Sequence, residues 1–548
     1  MPEWLDNAIF YQIYPQSFYD TNSDGIGDID GIIKKLDYIQ NIGFNAIWLN
    51  PCFCSPFGDA GYDVSDYCKV AERYGTNEDL IRLFEEVHKR KMHIILDLVP
   101  GHTSVEHPWF KESMKAEKNE YTDRYIWTDT VWESPDGMAC IRGISERDGS
   151  CATNFFSMQP ALNYGFAEPT KPWQKDCNSK EAKATKEAIK NVMRFWLKAG
   201  CDGFRVDMAG SLVKNDFSGK ENIQLWKEFR KFLDEEFPDA VMISEWGEPD
   251  KSIEGGFHMD FLLQFGPQGY NSLFRCENPF FSEKGKGDST VFIDQYTSYY
   301  KLTHKKGYIC IPSGNHDSDR LARGRNEKEL KVCFAFLMTM AGVPFVYYGD
   351  EIGMRYIEGL TSVEGGYGRT GSRSPMQWDK SQINDGFSSS APDKLYIPMD
   401  KSENRPCVNE QLEDENSLLN EVKALIRLRQ SHKALQSDGE ISFIRAKRKY
   451  PMIYRRSDDT EDLIIVINPS GKELVCRVDT GDKTFKVLHS VNAETSFENG
   501  SRQLRRRHAC SEIPFTMCRW KNSMKSCGRK KYSSTKPWMT HRQAMPAV

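Results

Sequence analysis

From Ile9 to about residue 435 the chain repeats one unit, a short β-rich apolar run followed by an amphipathic helical stretch. This alternation restricts the fold more than any other feature. A helix between two strands returns the chain to the same end of the sheet, so the strands run parallel with the helices outside. Eight runs fit, at residues 9–14, 46–49, 93–99, 203–207, 241–245, 259–261, 308–313 and 344–348. Eight such units close into an α/β (β/α)8 barrel, a TIM barrel, with its functional groups at the C-terminal strand ends. Between the runs, Ile29, Ile32, Leu36 and Ile39 recur at helical spacing and stop before Gly43, and Thr76 with Asp79 reads as a capping box.

Two stretches break the alternation. Residues 104–172 are loop-rich, with no clean period and far more chain than a βα loop needs. They are read as a small inserted domain after the third strand, over the active face, leaving 1–103 and 173–435 to the barrel. Runs at 441–444, 452–454, 463–467 and 473–478 look like strands of a C-terminal antiparallel β-sandwich spanning 436–500. From Ser501 onward twelve Lys and Arg face the single acid Glu512, so 501–548 reads as an atypical basic tail. Residues 513–517 are the one plausible strand in it.

Lys and Arg total 73 against 78 Asp and Glu, a net charge of -5, which gives no global basic field for nucleic acid. A neutral small molecule fits better as the partner. No window approaches the roughly 18 apolar residues of a membrane span, and no signal-type segment opens the chain, so a cytoplasmic protein is expected. Fifteen cysteines without zinc-type CxxC pairs are read as free thiols.

The fourth run reads GFRVDMA, and strand alternation puts Arg205 and Asp207 on one side near its end. The fifth ends ISEWGEP with Glu245, and the seventh ends GNHDSDR with His316 and Asp317. Three carboxyls at one barrel mouth are what acid-assisted glycosidic cleavage requires: an ionised nucleophile, a protonated acid and a third group to grip sugar hydroxyls. Arg205 is expected to keep Asp207 ionised, and the charges of Asp207 and Asp317 to keep Glu245 protonated. Separately, DTNSDGIGD sets Asp20, Asn22, Asp24 and Asp28 at alternating positions around Gly25, with Ile26 in the same loop. That pattern resembles half an EF-hand loop and points to a structural calcium ion; the alternative is an Asx-rich turn capping the first helix.

GYDVSDY (61–67), DLVPGHTS (97–104), QPALNYG (159–165), GFRVDMA, ISEWGEP, GNHDSDR and GVPFVYYGDEIGM (342–354) together resemble the ordered motif series of the alpha-amylase superfamily, glycoside hydrolase family 13. The resemblance implies Asp207 as nucleophile, Glu245 as acid/base and Asp317 as transition-state stabiliser. It further implies sugar contacts from Arg205, His102 and His316, stacking by Tyr62, and calcium in the loop after the first strand. The Asn of a second family calcium site is Gly101 here. RTGSRSPMQWD is similar to the exo-acting alpha-glucosidase branch, where an Arg pairs with the Asp of GYD and closes the pocket behind one glucose; these would be Arg373 and Asp63. Met208, directly after Asp207, and Ala161, in place of a common Asp, depart from the family pattern and leave linkage open. The reading is a retaining alpha-glucosidase-like hydrolase of short alpha-glucosides. The same carboxyls would also serve a transglycosylase or an isomerase such as a trehalose synthase. An endo-acting amylase conflicts with a closed pocket, and a non-catalytic relative with three retained acids.

Overall fold

The computed structural model describes residues 1–135, 137–263, 269–444, 449–474, 476, 478, 485–492 and 515–520, the last six by backbone alone. Eight parallel strands close into a barrel: β1 (Phe10–Ile13), β2 (Ala46–Leu49), β3 (His93–Leu98), β4 (Gly203–Val206), β5 (Val241–Ser244), β6 (Met259–Phe261), β7 (Tyr308–Pro312) and β8 (Val343–Tyr347). Each lies within a residue of its expected run. Gly203 shows why the β4–β5 pair starts so close: its φ is 149°, and a Cβ there would lie 2.2 Å from the Val241 carbonyl oxygen.

Local chemistry sets the surrounding helices. Helix α1 (Ile29–Ile42) starts where the Asp28 carboxylate accepts the Gly31 N–H and stops at Gly43 in the left-handed region. Its buried stripe is Ile29, Ile32, Leu36, Ile39 and Ile42. Helix α2 (Asn77–Lys89) carries the reciprocal Thr76/Asp79 capping box and buries Leu80, Leu83, Phe84 and Val87.

Inside the barrel, side chains alternate in layers. The floor is apolar, with Phe10, Ala46, Trp48, Ile95, Val241, Ile243, Met259, Phe261, Cys310, Val343 and Phe345 in one cluster. Two residues further along the strands the inward positions become Asp97, Arg205 and Asp207, and Glu245 follows β5 directly. A polar layer therefore rests on a dry floor at the C-terminal rim.

Between β3 and the helix Lys180–Ala199 lie a short helix, Pro108–Ser113, and a hairpin of Ala139–Arg142 with Ser150–Thr153. A satellite core of Ile126, Ala152, Ala161, Phe166 and Trp173 holds this region together. A bridge from His102 to Ala161 ties it to the barrel mouth.

The C-terminal part forms a five-stranded antiparallel sheet: β9 (Glu440–Phe443), β10 (Met452–Ser457), β11 (Asp462–Ile467), β12 (Phe485–Val491) and β13 (Phe515–Trp520), in spatial order β9-β10-β11-β13-β12. Two sequence expectations are corrected here. The basic tail does not begin outside this domain, because β13 pairs with β11 on one side and β12 on the other. The strand expected at 513–517 is present, shifted to Phe515–Trp520, and it belongs to the sheet rather than to a separate tail, with ladder partners about fifty residues upstream on one side. The run expected at 473–478 falls partly outside the described residues, and its described positions are not in a strand.

Candidate active site

Arg205 is the hub of the rim. Its guanidinium is 1% exposed, and its Nη1 donates to Asp97 Oδ1 at 2.8 Å and Asp207 Oδ1 at 2.9 Å. Its Nη2 lies 2.6 Å from Glu245 Oε2. One buried cation thus gathers three carboxyls from three adjacent strands. Sequence reasoning passed over Asp97, although it opens the quoted motif DLVPGHTS and falls on the inward face of β3. Its Oδ2 also accepts from Tyr62 Oη at 2.9 Å and Trp48 Nε1 at 3.1 Å.

Burial dominates the protonation of this group. It pushes Glu245 up to about 7, with Arg205 opposing and the Asp207 and Asp317 charges adding to the rise. Charge repulsion alone, the expected cause, is the smaller contribution. Asp207 is also pushed up by burial, to about 6, against the pull of Arg205. Arg205 does act to keep Asp207 ionised, as expected, but burial outweighs it, and the same guanidinium is shared with Asp97 and Glu245. Asp97 stands at about 6 for the same reason.

Asp317 differs. Burial would raise it, but His316, Arg373 and Arg369 outweigh that and hold it well below the usual carboxylate range. Its Oδ1 accepts from Arg369 Nη1 at 2.6 Å and Arg373 Nη2 at 3.0 Å, and its Oδ2 lies 3.0 Å from His316 Nε2. The opposite nitrogen, His316 Nδ1, meets the side-chain amides of Gln12 at 3.1 Å and Asn50 at 3.2 Å. Amide N–H groups only donate, so Nδ1 is bare and Nε2 carries the proton towards Asp317.

The expected pair of Arg373 with Asp63 is not formed. Arg373 is 1% exposed and donates to Asp317 and, through Nε, to the His316 carbonyl at 2.9 Å. Asp63 is saturated within its own loop by Ser55 Oγ, the Gly58 N–H and the Asp59 N–H at 2.8–3.0 Å. The carboxylate that reaches across to the arginines is instead Asp59, four residues earlier. Its Oδ1 lies 3.5 Å from Arg369 Nη2, and its Oδ2 accepts from Gln159 at 2.8 Å. The motif signal is present in GDAGYD and RTGSR, one acid and one Arg away from the expected pair.

Tyr62 is buried and stacks on His316, with ring centroids 5.2 Å apart and 7° between planes. His102 is buried beside it, its Nε2 3.1 Å from the Tyr62 carbonyl oxygen. Met208 adopts φ 47° and ψ 41°, a left-handed conformation unusual for a non-glycine residue, and points its N–H at Glu245 Oε2 at 3.5 Å. A cleft beside Arg205 and Glu245 is lined by Trp48, Phe261, Leu262, Leu263, Pro312 and Asn315.

The candidate calcium loop lies apart from this cluster. Asp20 accepts the amides of Asn22, Ser23 and Gly25 together with the Ser388 hydroxyl, and Asp28 accepts those of Thr21 and Gly31. Asn22 and Asp24 likewise accept the N–H groups of Asp24 and Ile26. These bonds are those of an Asx-rich turn. Among the described residues no group of three or more His, Cys, Asp or Glu is positioned to hold a metal.

A parallel barrel whose rim joins three carboxyls through one arginine carries the acidic groups that a glycoside-cleaving enzyme of the (β/α)8 class needs. The model of the alpha-amylase catalytic domain matches residues 12–438. The chain belongs to the alpha-amylase family. It is 32% identical over 483 residues to the trehalose synthase/amylase of Mycolicibacterium smegmatis, covering 79% of this chain and 77% of that protein. It is also 32% identical over 542 residues to the oligo-1,6-glucosidase of Parageobacillus thermoglucosidasius, covering 87% and 92%. Among solved structures, the trehalulose synthase of Pseudomonas mesoacidophila superposes with a TM-score of 0.80 at 25% identity, over 95% of this chain and all of that one. An isomaltulose synthase mutant from Erwinia rhapontici, in complex with its natural substrate sucrose, gives 0.79 at 25%, over 95% and 100%. The protein is an alpha-glucosidase-like glycoside hydrolase. No helix among the described residues is long and apolar enough to cross a membrane.

Proposed function

We propose that the pocket hydrolyses short alpha-glucosides by retaining double displacement, with Asp207 as nucleophile, Glu245 as acid/base and Asp317 as stabiliser of the transition state. The observation that carries this is the sharing of Arg205 by Asp207 and Glu245. Two carboxyls on one guanidinium suit the roughly 5 Å spacing of a retaining pair better than the roughly 6.5–9.5 Å of an inverting one. Near neutral pH Asp207 is mostly ionised and Glu245 retains a large protonated fraction. The Asp207 carboxylate attacks the anomeric carbon while the bond to the leaving oxygen breaks and Glu245 gives that oxygen its proton. The glycosyl ester is neutral, so the repulsion on Glu245 falls and its carboxylate becomes the base. It takes a proton from water, whose oxygen attacks the anomeric carbon and frees Asp207.

Tyr62 would stack under the sugar ring, with Arg205, His102 and His316 contacting its hydroxyls. Arg369, joined to both Asp59 and Asp317, would close the far end of the pocket. Product analysis on maltose, isomaltose, sucrose and trehalose tests the reading: glucose release with retained configuration supports it, and no cleavage of any of the four overturns it. Isomerisation is the second reading, favoured by the similarity to proteins named trehalose synthase and trehalulose synthase. It would appear as a rearranged disaccharide in excess of glucose.

Calcium is proposed for the Asp20–Asp28 loop, where Asp20, Asn22, Asp24 and Asp28 and the Ile26 carbonyl supply hard oxygen donors. Binding would replace several of the present amide-to-carboxylate bonds. Calcium should then raise the melting temperature of chelated protein, and Asp24→Ala should abolish the rise. An unchanged melting temperature with and without chelator would leave the loop as an Asx turn. A cytoplasmic setting is proposed from the twelve free cysteines among the described residues.

A further inference from the structure

His102 is gripped by groups from two distant parts of the chain. Nε2 faces the Tyr62 carbonyl oxygen, and Nδ1 lies 3.1 Å from Asn154 Nδ2. A carbonyl only accepts and an amide N–H only donates. Nε2 therefore carries the ring proton, Nδ1 is the bare acceptor, and the imidazole is neutral. Burial acts in the same direction, pushing His102 down to about 4, and Lys214, in the loop after β4, adds to it.

Asn154 follows directly on the inserted hairpin strand Ser150–Thr153. It reaches the ring because residue 101 is glycine. A Cβ at position 101 would lie 2.8 Å from Asn154 Nδ2, and the Gly101 backbone is not in the left-handed region, so the glycine is needed for room rather than for conformation. The next residue, Phe155, stands edge-on to the His102 ring at 6.1 Å and 86° and is half exposed. The turn is fixed by the Asn154 N–H donating to the Gln159 carbonyl at 3.1 Å, while the Gln159 side chain holds Asp59 at 2.8 Å. One short turn thus touches two groups of the pocket.

We propose that Asn154 is a positioning residue: with Gly101 making room, its amide fixes His102 as the neutral Nε2–H tautomer and couples the inserted segment to sugar binding. The proposal rests on the reading that His102 faces the sugar, a hydroxyl of which would share the Nε2 proton with the Tyr62 carbonyl. An aspartate at 154 has the same shape but only accepts, so it calls a second proton onto the ring and makes an imidazolium. A leucine offers Nδ1 nothing and frees the ring to turn. Gly101→Ala displaces the amide without touching it.

The test measures kcat, KM and pH profiles on a nitrophenyl alpha-glucoside for Asn154→Asp, Asn154→Leu, Gly101→Ala and His102→Ala. Nitrogen-15 spectra of labelled histidines report the tautomer. Asn154→Leu and Gly101→Ala should raise KM about tenfold with kcat less affected, as a misplaced binding group does. Asn154→Asp should move the acid limb of kcat/KM upward and show His102 protonated. If His102→Ala is impaired while the other three keep wild-type KM, pH profile and tautomer, the proposal fails. So it does if Asn154→Leu lowers only the melting temperature. If His102→Ala itself behaves as wild type, the reading of the pocket has failed instead.

Discussion

A guanidinium buried beside three carboxyls is a poor stabiliser and a good organiser. Each carboxyl loses hydration on burial, and one cation cannot repay three of them. Asp97, Asp207 and Glu245 are left with raised pKa values. That imbalance gives the pair its chemistry: kcat/KM should be bell-shaped, falling below about 6 as Asp207 takes a proton and above about 7 as Glu245 loses one. Asp207→Asn and Glu245→Gln should each lower turnover by several orders of magnitude, since nucleophile and acid act as a unit. Wild-type rates in either variant would remove the assignment. The same shifts make a stability prediction. A carboxyl whose folded pKa is raised costs nothing while protonated in both states, and stability is lost as pH rises through the folded value. Glu245→Gln should therefore gain stability over the wild type at pH 8, on the order of 2 kcal/mol, and little near pH 4.5, read as the difference in melting temperature. An equal gain at both pH values would place the effect elsewhere than in ionisation.

At the scale of elements, β13 changes what the end of the chain is for. Removing a strand that lies between β11 and β12 exposes ladder edges on both. Truncation after Gly500 should lower the melting temperature and solubility, whereas truncation after residue 521, which retains β13, should leave both and glucose release near wild type. Full stability of the shorter protein would mean that β13 contributes nothing to the sheet. The same contrast explains which elements could be read from the sequence. Barrel strands and helices carry their signal locally: apolar runs, the Thr76/Asp79 box, the stop at Gly43. The strand Phe515–Trp520, set in a basic stretch, shows locally only as the run 513–517, and its membership of the sheet becomes legible only with its partners, as Asn154 becomes legible only once the chain folds it onto His102. The acids at strand ends were readable because alternation aims them inward. The Arg369–Asp59 pair was not, because two Arg and two Asp in the motifs were equivalent until loop hydrogen bonds consumed Asp63 and Asp317 took Arg373.

For the whole molecule, the question is how much substrate the mouth admits. The barrel supplies the floor and the acids, the inserted segment covers one side with Gln159 on Asp59, and the stretch after β8 brings Arg369 across to Asp59 and Asp317. Three parts of the chain thus meet around Asp59, Arg369 and Asp317, and on the proposed reading this junction is the closed end of the pocket. The enzyme should release glucose from the non-reducing end of disaccharides and short oligosaccharides and barely thin starch. Arg369 is only 31% exposed at its side chain and joins two carboxylates, so Arg369→Ala should do two things at once. It should open the pocket end, raising activity on longer chains relative to maltose. It should also free Asp317 of one of its two arginines, with a fall in kcat on every substrate. Asp59→Asn keeps Arg369 on Asp317 and should show the first effect without the second. The decisive measurement is the ratio of maltose to maltoheptaose turnover in the two variants beside the viscosity of a starch solution under the wild type. Rapid viscosity loss without glucose release by the unmutated protein would mean that the pocket is open and that the Arg369–Asp59 contact yields to substrate.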